Sequence, residues 1–174
     1  MQLRASSIAL LALGLPLLGS PSAGGAQSPI GSRDLALFNA GDRVDGLPLA
    51  AVLRREGTAE FVSFVYGDCA AHDDAGCAPP AEIQVWPACR RNLGLYGDAL
   101  GGKLAERTSV RGVPALRFDE GTRLELETGR STVVVFADTP ARVLRVAGAL
   151  RALDGSVGST RPLPQPLREQ GDDC

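Results

Sequence analysis

The chain reads as an α+β domain, a mainly antiparallel sheet with a C-terminal packing helix, stapled by disulfides. Three observations predict this. From Phe61 to Ala137, β-rich runs follow one another with turn signals between many of them. After Asp138 a stretch of apolar residues falls at helical spacing. The regular alternation of strand and helix that builds a doubly wound parallel sheet is missing. The 174 residues suit one domain plus a targeting segment, and 44% hydrophobic against 22% charged residues is enough for a packed core.

In chain order, residues 1–26 come first. Arg4 supplies a positive start, Ile8 to Leu18 is an apolar run, and Ser20 to Ala26 is small and polar. Cleavage after Ala26 fits a secretory signal. An apolar run of about 11 residues rises only ~16 Å as a helix, too short for a hydrocarbon core of ~30 Å. No stable membrane anchor is expected after cleavage, and the mature protein reads as secreted and soluble. Residues 27–155 then form the single α+β domain, and residues 156–174 a proline-spaced tail ending in cysteine.

Within the domain, Leu35, Leu37 and Phe38 predict a short strand ended by Gly41 and Asp42. Gly46-Leu47-Pro48 predicts a helical turn, because proline is tolerated at a helix start and Leu49, Val52 and Leu53 then share one side. Phe61 to Tyr66 is apolar on both faces, as a central strand should be. Glu82 to Trp86 alternates, with Ile83 and Val85 on one face and Glu82 and Gln84 on the other. Residues 90–103 are glycine-rich and predict a turn of helix at most. Arg107 to Val110 and Val113 to Phe118 flank Arg111-Gly112, a two-residue hairpin signal. Asp119 to Thr122 turns the chain into Arg123 to Glu127, where Leu124 and Leu126 point one way and Arg123, Glu125 and Glu127 point out. Thr128-Gly129-Arg130 turns it again into Ser131 to Ala137. The helix follows, capped by Asp138 or Thr139, with Pro140 at its first position and Gly155 past its end. Val143, Val146, Ala147, Leu150 and Leu153 form its apolar stripe.

All four cysteines, Cys69, Cys77, Cys89 and Cys174, follow the signal segment. In an exported chain an even count reads as disulfides, with three connectivities open. Cys69–Cys77 with Cys89–Cys174 is favoured, since the first closes a polar loop and the second ties down the tail. A monomer is expected over a dimer linked through Cys174. Cys69, His72, Cys77 and Cys89 would make a formal zinc set, but their spacing is wrong for a compact finger.

Chemistry is sparse. Net charge is −2 with one histidine, which argues against nucleic acid and against most triad and metal-hydrolase mechanisms. No nucleophile elbow, Walker loop, dinucleotide fingerprint or zinc-protease helix is present, and no cofactor is implied. Two readings follow. The first is a non-catalytic binding or interaction domain for a small molecule or protein, with Trp86, Arg90, Arg91 and Tyr96 as candidate ligand residues, because arginine beside aromatics grips a carboxylate or a sugar face. Against it stands a packing role for Trp86, capping the core beside a disulfide. The second is an extracytoplasmic metal-assisted enzyme using the His72, Asp73 and Asp74 loop.

Tyr66–Cys69 (YGDC), Cys77–Asn92 (CAPPAEIQVWPACRRN) and Arg111–Asp138 resemble a family of uncharacterised exported proteins of high-GC Gram-positive bacteria. The resemblance implies export and structural cysteines, and carries no activity. More loosely, residues 106–153 are similar to the ending of extracytoplasmic domains linked to lipoprotein carriers and anti-sigma sensors, whose curved sheet holds an apolar ligand or a partner.

Overall fold

A computed structural model describes residues 35–55, 60–68, 78–93 and 105–167. Cys69, Cys77, Cys174, His72, Asp73, Asp74 and Tyr96 lie outside them, as do most of residues 90–103. The described chain runs β1 (Phe38–Asn39), β2 (Arg43–Val44), β3 (Leu47–Arg55), β4 (Phe61–Tyr66), β5 (Ala81–Pro87), β6 (Glu106–Val110), β7 (Val113–Phe118), β8 (Arg123–Thr128), β9 (Ser131–Ala137), α1 (Pro140–Gly148) and β10 (Arg151–Ala152). The fold class is α+β, as the strand succession predicts.

Eight strands form one sheet in the order β2-β3-β4-β5-β9-β8-β7-β6, with every neighbouring pair antiparallel. It consists of two meanders. One runs β2 to β5; the other starts at the far edge with β6 and works inward to β9. The seam is β5 against β9, which pairs Ala81 through Pro87 with Ala137 through Ser131. The doubly apolar run of β9 and the alternating run of β5 thus occupy the centre.

One face of the sheet carries the main core. Ile83, Val85, Leu124, Leu126, Val133 and Val135 have no exposed surface. Helix α1 lies over this face, as its apolar stripe predicts, and its Val143, Val146 and Ala147 are fully buried there. Thr139 caps the helix by accepting from the Arg142 N–H, and Pro140 stands at its start. Its end departs from expectation. The helix stops at Gly148, and Arg151–Ala152 pairs with Phe38–Asn39 as a separate ribbon. Leu150 remains buried in that non-helical exit while Leu153 is 56% exposed. Gly155 serves a later turn with φ of 76°.

The helical turn expected at Gly46-Leu47-Pro48 is also corrected. Asp45 and Gly46 take φ of 49° and 82°, making a tight two-residue hairpin, and Leu47–Arg55 is a strand paired to β4 along Leu49 to Arg55. Cross-strand partners override the i, i+3, i+4 spacing that suggested a helix. Arg111 and Gly112, at φ of 49° and 90°, make the second such hairpin where the sequence places it.

Residues 156–167 run along the body of the domain. Leu163 is 2% exposed and its N–H donates to the Arg111 carbonyl. Pro164 accepts from the Thr128 hydroxyl at 2.8 Å and the Leu167 N–H donates to Gly129. The Arg111 guanidinium donates to the carbonyls of Leu150, Gly158 and Arg161. These bonds anchor the first part of the tail without any cysteine.

Candidate functional site

Strand alternation sends a second set of side chains to the opposite face of the sheet. The register arranges them in three rows. The first crosses Val65, Glu82, Phe136, Arg123 and Phe118, and the second Ser63, Gln84, Val134, Glu125 and Leu116. The third runs from Trp86 to Thr132 and Glu127, and Phe61 stacks on Trp86 with ring centroids 4.1 Å apart. A half-polar face of this kind is ordinary in an antiparallel sheet. Here its polar groups are bonded to one another.

At its centre is a chain of neutral donors ending on a carboxylate. Trp86 Nε1 donates to Gln84 Oε1 at 3.1 Å, and Gln84 Nε2 donates to Glu82 Oε1 at 2.9 Å. Ser63, itself fully buried, donates its hydroxyl to the same oxygen at 2.5 Å. Trp86, Gln84 and Glu82 are each half-buried, so a molecule resting on this face reaches all three.

Above the third row the chain folds back at Pro87. Ala88 N–H donates to Arg130 O and Arg91 N–H to Pro87 O, and the Thr132 hydroxyl donates to the Arg91 carbonyl. That path sets the Arg91 guanidinium 5.1 Å from the Trp86 ring centroid and onto Glu125, through Nε at 2.9 Å and Nη2 at 2.5 Å. Glu125 is 1% exposed, although it alternates away from Leu124 and Leu126. The expectation that it points to solvent is corrected: the 88–93 segment covers that side, and a carboxylate under it needs the cation it has. Arg123 reaches both Asp119 and Glu125 and lies over the Phe118 ring at 4.4 Å. Leu93, Leu116 and Phe118 make a small apolar cluster beside it, and the Leu93 N–H donates to Glu127.

Of the expected ligand residues, the structure brings Trp86 and Arg91 together. Arg90 is exposed on the same bend, and Tyr96 is outside the described residues. Sequence reasoning missed Ser63, Gln84, Glu82 and Glu125. The alternation of EIQVW put Glu82 and Gln84 beside Trp86 on one face, which was the available signal; nothing local could place Ser63 or Glu125 there.

Cys89 has no free thiol. The chain matches no family model, and no curated protein or solved structure matches it either. Among the described residues, no helix is long and apolar enough to cross a membrane.

Proposed function

We propose that this chain is an exported, disulfide-stapled binding domain whose ligand rests on the sheet face built by Glu82, Gln84, Trp86 and Phe136. The observation that carries the reading is the directed chain Trp86 to Gln84 to Glu82, half-buried on a rigid sheet and bordered by aromatic rings. Polar groups at fixed spacing beside aromatic surface are what a small-ligand site requires. The apolar segment within residues 1–26 supports export, as does the resemblance to exported proteins. The bound state of Cys89 supports disulfides.

Native mass spectrometry of protein recovered from culture medium tests both halves. The expected mass begins at Gln27, lacks two hydrogens for each of two disulfides, and carries an adduct that denaturation removes. The adduct-free protein should change its tryptophan emission when returned to concentrated medium. A chain retaining residues 1–26, or one with reduced cysteines, defeats the export reading. Absence of any adduct together with unresponsive tryptophan emission defeats the binding reading.

A further inference from the structure

Charge on this face decides which ligand it takes. Arg91 is occupied by Glu125 through two guanidinium nitrogens, and Arg123 lies between Asp119 and Glu125. Both cations are therefore balanced by carboxylates of the protein itself. Glu82 is not: among the described residues its bonds come only from the neutral groups of Ser63 and Gln84, and both end on Oε1. Its second oxygen accepts none of them, although an ionised carboxylate has room for several donors. A half-buried anion with a vacant acceptor repels anionic ligands and favours groups that donate hydrogen bonds. By register, its neighbour across the seam on this face is Phe136, also half-buried, and Trp86 lies along its own strand.

We infer that Glu82 is the specificity-determining residue of this surface and that its ligand is an uncharged, polyhydroxylated molecule, a sugar ring. Its hydroxyls donate to the open carboxylate oxygen while its C–H face lies against Phe136. The inference rests on the binding reading above. Of the two groups expected for arginine beside aromatics, a carboxylate or a sugar face, it keeps the sugar, because the Arg91 guanidinium already holds the Glu125 carboxylate.

Trp86 is the only tryptophan in the chain, so its emission reports on this site alone. The mature protein is titrated with cellotetraose, maltotetraose and chitotetraose as neutral probes, trigalacturonate as an acidic probe and spermidine as a cationic one. At least one neutral oligosaccharide should shift the emission with saturation, and bind at least tenfold more tightly than trigalacturonate. Glu82→Gln keeps the side-chain shape but removes the charge, and should weaken that binding at least tenfold with unchanged circular dichroism. Glu82→Asp, which retains the charge one methylene back, should fall between the two. Should Glu82→Gln prove unfolded, the Glu82→Asp titration alone decides: an affinity equal to wild type overturns the inference. Tighter binding of trigalacturonate or spermidine, or neutral-sugar binding indifferent to Glu82→Gln, also overturns it. Emission that responds to culture medium but to none of the neutral sugars rejects the sugar and leaves the binding reading standing.

Discussion

Gly67, just past β4, shows how a single backbone position holds two elements together. Its φ is +111°, and a Cβ placed there would come within 2.4 Å of the Pro80 ring, which leads into β5. Its N–H donates to the Pro48 carbonyl at 2.8 Å, so the same residue also fixes the start of β3. Gly67→Ala meets both the conformational penalty and the collision, and should destabilise the domain by about 1–3 kcal/mol. Urea unfolding followed by far-ultraviolet circular dichroism reads this as a lower midpoint with unchanged slope. Tyr66 beside it is fully buried, and its hydroxyl accepts the Ala40 N–H at 2.9 Å. Burial holds that phenol above its ordinary pKa, so it stays neutral throughout the physiological range.

Between elements, the β2–β3 hairpin is joined to helix α1 by charge. Asp45, at the hairpin tip, accepts from Arg145 Nε at 2.6 Å and from Arg142 Nε at 2.8 Å, and Arg142 also reaches Asp138. Bonds from the two arginines, Arg145 first, hold the Asp45 carboxyl well below the usual carboxylate range. A carboxyl with a lower pKa in the folded than in the unfolded chain stabilises folding above its unfolded value. That contribution drains away as pH falls through the ordinary carboxylate range toward its own depressed value. Asp45→Asn should therefore lower stability at neutral pH and flatten the decline at acid pH. Asparagine tolerates the left-handed backbone at this position, so the turn itself survives. Thermal unfolding of both proteins from pH 7 down to pH 2 checks the prediction; parallel curves would count against it.

At the scale of the whole molecule, residues 156–167 are tied into the core. Arg111 donates to carbonyls at three points between Leu150 and Arg161 while Leu163 fills a buried place beneath. Arg111→Ala leaves those carbonyls without their charged donor and should cost about 2 kcal/mol. Limited proteolysis should then cut within residues 156–167 before anywhere else in the described chain. Much of this plan was legible in advance. The β4, β5, β7, β8 and β9 runs announce themselves through apolar alternation or double-sided apolarity, and Thr139-Pro140 announces the helix start. Three features were not. Leu49, Val52 and Leu53 satisfy a helical spacing, and only the pairing of β3 with β4 decides against it. Gly155 offers a helix stop, but the helix ends at Gly148 and the chain pairs from Arg151 in the β1–β10 ribbon. The covering of Glu125 by Arg91 joins residues 34 apart, beyond the reach of any local pattern. The candidate site was half legible for the same reason, since Trp86, Gln84 and Glu82 share one strand while Ser63 and Glu125 arrive from others.

The β5–β9 seam has a consequence for the order in which the protein can be made. A strand completed at Pro87 waits for a partner that starts at Ser131. The helix that shields the seam is synthesised later still, and the buried Leu163 after it. A growing chain on the ribosome therefore lacks a complete core until the segment that carries Leu163 has been made. On the proposal that this chain is exported, such late closure keeps it pliant while it threads a translocon, with the native state formed on the far side.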